Sequence, residues 1–128
     1  MALRIATITL LVDEYERGIA FYRDVLGLSL VADTPLGDGK RWVVVEGAGG
    51  ARLLLARAEG DTQRTAIGRQ AGGRVGFFLE TDDFAHEHAR LLAAGVRFLE
   101  APRHEAYGSV AVFEDIYGNR WDLIEPRS

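Results

Sequence analysis

The sequence contains no cysteine. Disulfide bonds, thiolate nucleophiles and cysteine-ligated zinc or iron–sulfur sites are therefore excluded, because each of them needs a cysteine sulfur. A metal site built from histidine and carboxylate ligands stays compatible with the composition.

Long apolar runs and clustered basic residues are also lacking. No run of eighteen apolar residues occurs, so we expect no transmembrane helix and no membrane partner. The residues that follow Met1 lack the layout of a signal peptide, which predicts a cytoplasmic protein. The net charge is −4 and the 15 lysines and arginines are scattered, so nucleic acid is not an expected partner.

The chain has enough length and apolar content for one folded domain. Its 128 residues are 48% hydrophobic, which suffices to bury roughly two-thirds of the surface that the unfolded chain exposes. Two helices are expected, each preceded by an aspartate as N-cap (Asp13 and Asp82) and ended by a glycine (Gly27 and Gly95).

The predicted elements occur twice in the same order, strand, helix and three strands. The first βαβββ module covers about residues 3–57, the second about 74–126, and a polar connector covers 58–73. The predicted strands are residues 3–12, 28–33, 41–46 and 51–56 in the first module and 75–81, 96–100, 109–114 and 120–125 in the second.

The repeat makes particular positions equivalent. Asp13 corresponds to Asp82 at an offset of 69 residues, and Leu54 to Asp122 at an offset of 68. We therefore predict an α+β fold of two tandem βαβββ modules, whose curled mixed sheets enclose a cleft. The sheet faces opposite the helices are expected to line that cleft.

Asp122 is the unusual residue of the last predicted strand. Alternation places it on the same face as Arg120 and Ile124, where a carboxylate is costly unless it is solvated or paired. It could pair with Arg120 or Arg74, or it could be solvated. If it is buried and unpaired, its pKa rises, which suits a general base or a cation-binding group.

Two motifs carry a resemblance to a known family. They are the sequences FYRDVLG, residues 21–27, and FEDIYGNRWDL, residues 113–123. The chain resembles the vicinal oxygen chelate superfamily, also called the glyoxalase/bleomycin resistance protein/dioxygenase family, over essentially its whole length. The resemblance implies the fold of that family but fixes no function, because its members include isomerases, epimerases, dioxygenases, thiol transferases and binding proteins.

The resemblance also implies a divalent metal held by ligands on the first and last strands of each module. The matching positions are Thr7, Leu54, Gly76 and Asp122. Threonine, leucine and glycine are not ligands that hold such an ion, so we expect no metal and no other cofactor. An atypical metal set of Asp122, Glu80 and His104 is the alternative.

Other residues are candidates for contacts in the cleft. Glu80 is expected on the face of Gly76 and Phe78, where it would act with Asp122 in proton transfer or amine recognition, or pair with an arginine. Trp42 is either a stacking wall for a planar ligand or a core residue. The ligand-binding candidates are Thr7, Thr9, Trp42, Leu54, Gly76, Phe78, His104 and Tyr107, and the catalytic candidates are Asp122 and Glu80.

The histidines do not predict a metal site by themselves. His86 and His88 are two residues apart on a helix and cannot share an ion. His88 takes the place that Ile19 has in the first module, so we expect it to pack. His104 and Tyr107 belong to a predicted loop, residues 101–108, which could line the rim of the cleft.

We therefore expect a metal-independent protein that binds a small, partly apolar or cationic organic molecule, as bleomycin-resistance-type proteins do. The alternative is a glyoxalase-like isomerase or lyase, or a dioxygenase-related enzyme, in which Asp122 or Glu80 transfers a proton. A homodimer is expected, because curled sheets leave edges and apolar surface exposed.

Overall fold

The computed structural model of the protein describes residues 1–127. They form two compact units, residues 1–67 and a second unit that begins at Gly68. Among the described residues no helix is long and apolar enough to span a membrane.

The first unit is a four-stranded sheet with two short helices. The sheet order is β1-β4-β3-β2, with β1 parallel to β4 and the other pairs antiparallel. Helix α1 continues in π-helical turns through Ala20–Val25. In chain order the elements are β1 (Thr7–Val12), α1 (Tyr15–Ile19), β2 (Ser29–Gly37), β3 (Lys40–Glu46), β4 (Arg52–Arg57) and α2 (Gly60–Ala66).

Helix α1 covers one face of this sheet. Leu10, Val12 and Leu55 are fully buried. Gly18 of α1 lies against Val12 and Leu55. A Cβ atom added at Gly18 would lie 3.0 Å from Val12 Cγ1, so the missing side chain lets the helix approach the sheet. The opposite face of the sheet, which α1 leaves uncovered, is called the first open face below.

The second unit is a five-stranded mixed sheet with one long helix. The main order is β5-β9-β8-β6, β7 pairs with β8, and β5 runs parallel to β9. The predicted α+β class with two curled mixed sheets is therefore confirmed. The elements are β5 (Val75–Glu80), α3 (Phe84–Ala93), β6 (Arg97–Phe98), β7 (Arg103–Glu105), β8 (Gly108–Glu114) and β9 (Arg120–Pro126).

Strand pairing repeats between the two units. In the first unit Thr9 on β1 lies opposite Leu54 on the parallel strand β4. In the second, Phe78 on β5 lies opposite Asp122 on the parallel strand β9. Each unit thus pairs its first strand with its last, and this pairing supports the predicted equivalence of Leu54 and Asp122.

Several predicted boundaries were wrong. Strand β1 begins at Thr7 instead of residue 3, and β2 runs to Gly37, through part of a predicted loop. The connector, for which the sequence allowed one helical turn, contains helix α2 of 7 residues. The predicted loop 101–108 contains strand β7. Backbone pairing accounts for β2 and β7, since β3 and β8 give partners to polar segments that carry no strand pattern of their own.

The predicted helix caps were each one residue early. The N-cap of α1 is Glu14, without a side-chain cap, and the N-cap of α3 is Asp83. The Asp83 side chain accepts a hydrogen bond of 3.2 Å from the His86 backbone N–H. Asp13 instead accepts from the Glu14 backbone N–H at 2.7 Å, before the helix starts.

The turn between β8 and β9 is built around the buried carboxylate of Asp115, which is 5% exposed. Its Oδ1 accepts from the backbone N–H groups of Tyr117 (2.9 Å) and Asn119 (3.0 Å). Its Oδ2 accepts from Asn119 Nδ2 (2.8 Å) and from Trp121 Nε1 (3.3 Å). Because Tyr117, Asn119 and Trp121 all donate to this one carboxylate, it fixes the start of β9 relative to the end of β8.

We predict that Asp115→Ala lowers the free energy of unfolding by about 3 kcal/mol or more, because buried donors lose a charged acceptor. Asp115→Asn keeps one carbonyl oxygen and should cost less. The measurement is urea unfolding, with Asp61→Ala as the control, because Asp61 is an exposed residue that forms a surface ion pair with Arg64. A loss within 1 kcal/mol of the control would contradict this role of Asp115.

Candidate functional site

The candidate site lies on the face of the second sheet that α3 leaves uncovered, called the second open face. Trp121 marks the helix-covered face, because it is buried and stacks against Phe77 at 4.6 Å and Phe113 at 6.0 Å between ring centroids. Side chains alternate along a strand, so Asp122 and Ile124 point to the second open face.

Two cross-strand neighbours flank Asp122 on this face. Phe78 on β5 and Val112 on β8 lie directly opposite it in the two ladders. Phe78 is 65% exposed, which is unusual for a phenylalanine in a sheet. The second open face therefore combines an exposed aromatic ring with a carboxylate.

One oxygen of the Asp122 carboxylate has no hydrogen-bond partner among the described residues. Its Oδ1 atom is buried and accepts no hydrogen bond from any residue in the range 1–127. The expected alternative, an ion pair with Arg120 or Arg74, does not occur among these residues. A buried acceptor without a donor costs free energy, so such groups mark strain or a functional site.

Arg103, whose positive charge acts on Asp122, is already paired with other carboxylates. Arg103 on β7 donates from Nε to Glu100 Oε1 at 2.8 Å and from Nη2 to Oε2 at 3.2 Å, and it lies 3.3 Å from Glu105. This hydrogen bonding with Arg103 holds the pKa of Glu100 below its usual range. The three carboxylates Glu100, Glu105 and Asp122 thus outnumber one guanidinium, which makes this part of the face acidic.

Burial raises the pKa of Asp122 above its ordinary value. The positive charge of Arg103 lowers it and the negative charge of Glu100 raises it further. Desolvation is the largest of the three causes, so an N–H donor or cation placed against Oδ1 would stabilise the ionised form.

The other predicted residues of the second unit are more exposed. Glu80 is exposed and makes no ion pair with the described residues, so the expected pairing with an arginine is not formed. Gly76 is exposed at a register shift of β5. Tyr107 is 54% exposed, and its hydroxyl lies 3.5 Å from Arg103 Nη1.

His104 does not join Asp122. It lies opposite Ser109 on β8, and its Nδ1 atom is 2.9 Å from Ser109 Oγ. Its ring packs edge-on against Phe84 of α3, 6.5 Å between centroids, which places it on the helix-covered face. His104 and Asp122 therefore point to opposite faces of the sheet, because strand β7 turns His104 towards α3. A contact between His104 and a ligand stays a prediction.

His88 packs as the repeat predicts. Its ring lies 5.5 Å from that of Phe84 and 4.4 Å from that of Phe98. These contacts account for the residue as part of the packing under α3.

The predicted residues of the first unit share the first open face. Leu54 pairs with Thr9 on β1 and with Val44 on β3, and Trp42 is two residues before Val44. Thr7 and Thr9 are exposed, and Trp42 is 45% exposed. Of the two alternatives for Trp42, the structure excludes the core position.

The residues do not fit the metal that the family resemblance implies. The four equivalent positions carry the hydroxyl of Thr7, the alkyl chain of Leu54, no side chain at Gly76 and the carboxylate of Asp122. In the described part of the chain no three His, Asp or Glu side chains are grouped as metal ligands require. The grouping of Asp122, Glu80 and His104 is not formed.

Sequence reasoning missed the Arg103 network. Glu100 reaches the backbone of β8, where its Oε2 accepts from the Val112 N–H at 2.9 Å. The spacing of Glu100 and Arg103 looks like an ordinary surface pair. Only the pairing of β7 with β8 brings it close to Asp122.

We predict that Asp122→Asn stabilises the folded chain at pH 7 by roughly 1 kcal/mol. Since the folded pKa of Asp122 is raised, the folded state binds more protons than the unfolded state between the two pKa values. The free energy of unfolding therefore falls as pH rises from the unfolded pKa through the folded pKa of Asp122. Asp122→Asn has no carboxyl group at this position and does not show this decrease. Below about pH 3 the carboxyl is protonated in both states and the difference should vanish.

Urea unfolding at both pH values measures this effect. The control is Asp24→Asn, because the hydrogen bond from Arg23 lowers the pKa of Asp24 and its removal should give no stabilisation. An Asp122→Asn protein that is less stable than the parent at pH 7 would contradict the assignment.

Relatives and solved structures resemble the chain over nearly its full length. An uncharacterized protein of Shewanella frigidimarina is 48% identical over 124 residues, which cover 94% of this chain and 92% of the relative. TnmS3, an antibiotic-binding protein from Streptomyces sp. CB03234, is 30% identical with a TM-score of 0.80, covering 99% of both chains. UcmS2 is 26% identical with a TM-score of 0.82, covering 97% of this chain and 98% of its own.

A family model matches residues 4–123, which include every strand of both sheets up to the middle of β9. The paired modules, the motifs at residues 21–27 and 113–123 and this match agree. The chain belongs to the Glyoxalase/Bleomycin resistance protein/Dioxygenase superfamily.

Proposed function

We propose that the protein binds a small, partly apolar organic cation on the second open face, without a metal ion and without chemical conversion of the ligand. The observation that carries the proposal is the buried Oδ1 atom of Asp122, which has no hydrogen-bond donor among residues 1–127. A protonated amine of the ligand would supply the missing donor.

The surroundings of Asp122 favour a cation over an anion. Glu100 and Glu105 both pair with Arg103, so Arg103 offsets the negative charge of Asp122 only in part. The three carboxylates and Arg103 together leave a net charge of −2. A cation that reaches Asp122 therefore meets excess negative charge in a partly desolvated position, where electrostatic attraction is stronger than in water.

The exposed ring of Phe78 provides the apolar contact. It is the direct neighbour of Asp122 across β5 and β9, so one ligand reaches both residues. Aromatic rings attract cations through their faces and apolar groups through their area. A solved relative, TnmS3, is an antibiotic-binding protein, which supports binding as the role of this chain.

A second candidate function is proton transfer by Asp122. The raised pKa of Asp122 favours it, because a base poised nearer neutral pH transfers protons more effectively. Turnover of an enolisable substrate that Asp122→Asn abolishes would favour an isomerase or lyase over a binding protein. The homodimer and the cytoplasmic location stay predictions.

We predict saturable binding of cationic aromatic amines, measured by titration calorimetry and by the rise in melting temperature. Asp122→Asn should weaken binding at least tenfold, because the charge-assisted hydrogen bond is lost. Phe78→Ala should weaken binding of aromatic amines more than binding of aliphatic amines, because aromatic ligands lose ring stacking in addition to the attraction of the ring for the cation. Affinity should fall as pH is lowered through the raised pKa of Asp122, since protonation removes its charge.

Asp24→Asn is the matched control, because Asp24 is an exposed aspartate on the first unit that is paired with Arg23. Equal binding by the parent and Asp122→Asn, or equal affinity for neutral isosteres of the amines, would contradict the proposed function.

Elemental analysis and chelator treatment test whether ligand binding needs a metal ion. Protein purified without chelator should contain no stoichiometric divalent metal by elemental analysis, and chelator should leave ligand affinity unchanged. One equivalent of bound metal per chain would overturn the metal-independent part of the proposal.

A further inference from the structure

Strands β3 and β4 of the first unit separate at one end. Their antiparallel register covers Val44–Glu46 and Arg52–Leu54, although β3 begins at Lys40 and β4 ends at Arg57. If the register continued, Arg41 would lie opposite Arg57. Instead, no pairing of the two strands is formed there.

The side chain of Tyr15 occupies the region between the separated strands. Its hydroxyl oxygen accepts a hydrogen bond of 3.1 Å from the Arg41 backbone N–H, which in a continued sheet would face β4. The guanidinium carbons of Arg41 and Arg57 each lie 5.1 Å from the centre of the Tyr15 ring. Tyr15 itself is buried, so this arrangement is part of the packing of α1 on the sheet.

The separation leaves a groove of about 210 Å³ at this end of the sheet. An enclosed cavity of roughly 150 Å³ takes up benzene, so the groove has the size for a single aromatic ring with one substituent. Trp42, Leu36 and Leu54 supply its apolar wall, and Lys40, Arg57 and Glu59 its polar wall.

A bulge in β2 brings Leu36 to this groove. The register of β2 on β3 shifts between Pro35 and Gly37, so Leu36 lies outside the ladder and is 60% exposed. Bulges of this kind redirect a side chain beside functional sites.

The basic groups of the groove differ in how far they are neutralised. Arg41 pairs with Asp33 at 2.7 Å and with Glu16 at 2.5 Å, and Lys40 lies 3.6 Å from Glu59. Arg57 donates from Nη2 to the Gly39 carbonyl oxygen at 3.2 Å and has no carboxylate partner among residues 1–127. The contact with the Tyr15 ring holds the Arg57 guanidinium in place. The N–H donors of Arg57 are therefore oriented before a ligand binds.

We propose that this groove is a second ligand site, which binds the carboxylate of a single-ring aromatic acid at Arg57 and its ring against Trp42 and Leu54. The guanidinium matches a carboxylate in charge and in bidentate geometry, and the indole face provides a stacking surface. The site is independent of the proposed function, because it lies in the other unit and selects the opposite charge.

Benzoate is the probe, followed by NMR on the isotope-labelled full chain. The two tryptophans give two indole N–H signals, and Trp42→Phe assigns them. We expect benzoate to shift the Trp42 indole and the Arg57 Nε signals saturably while the buried Trp121 indole stays unchanged. Benzamide should bind at least tenfold more weakly and benzylamine should give no saturable shift of these signals.

Variants of Arg57 distinguish charge from geometry. Arg57→Gln should weaken benzoate binding at least tenfold, and Arg57→Lys should lie between it and the parent because it keeps the charge but loses the fork. Arg52→Gln is the control and should bind like the parent, since Arg52 pairs with Glu46 at the opposite end of β4. The dispersed spectrum of each variant shows that it is folded.

Raising the salt concentration should weaken benzoate binding to the parent more than to Arg57→Gln. Benzylamine that binds as well as benzoate, or Trp42 shifts that persist in Arg57→Gln, would overturn the proposal. An effect of Asp122→Asn on benzoate binding would contradict its independence from the second open face.

Discussion

Hydrogen bonds that Asp115 accepts from Tyr117, Asn119 and Trp121 set the position of β9 and therefore of the candidate site. They hold the turn after β8, so that Val112 lies opposite Asp122 and Trp121 points to α3. A shift of one residue in this register would bury Asp122 under the helix and expose Trp121. The chain thus uses one well-satisfied buried carboxylate to orient a second carboxylate that is left unsatisfied.

That contrast gives the site its chemical character. Folding partly desolvates Asp122, and no residue in the described range 1–127 donates a hydrogen bond to its Oδ1. The neighbouring Arg103 is paired with Glu100 and Glu105. The unsatisfied Oδ1 atom destabilises the folded protein in its free state. A bound donor or cation would remove this free-energy cost. The exposed ring of Phe78 lies beside it and adds apolar area. The carboxylate and the ring together support the proposal of an organic cation as ligand over a metal ion.

Residue periodicity in the sequence was sufficient to predict which side chains share a sheet face and which positions of the two modules are equivalent. Alternation placed Asp122 and Phe78 on one face, and the internal repeat made Leu54 the counterpart of Asp122. It was insufficient where partners distant in the chain decide: β7 forms on β8 and turns His104 away, and Arg103 reaches Asp122 only through that pairing. The separation of β3 from β4 was equally hidden, because it depends on where a helix directs Tyr15.

We propose that Asp122 is a partly desolvated carboxylate that binds a cation. The titration of Asp122 itself tests this most directly. The side-chain carboxyl ¹³C signal of Asp122 can be followed by NMR against pH, with and without a saturating cationic aromatic amine. We expect a raised pKa of Asp122 in the free protein and a lower one in the complex. A pKa at or below the ordinary range of aspartate in the free protein, or one that the amine leaves unchanged, would contradict it.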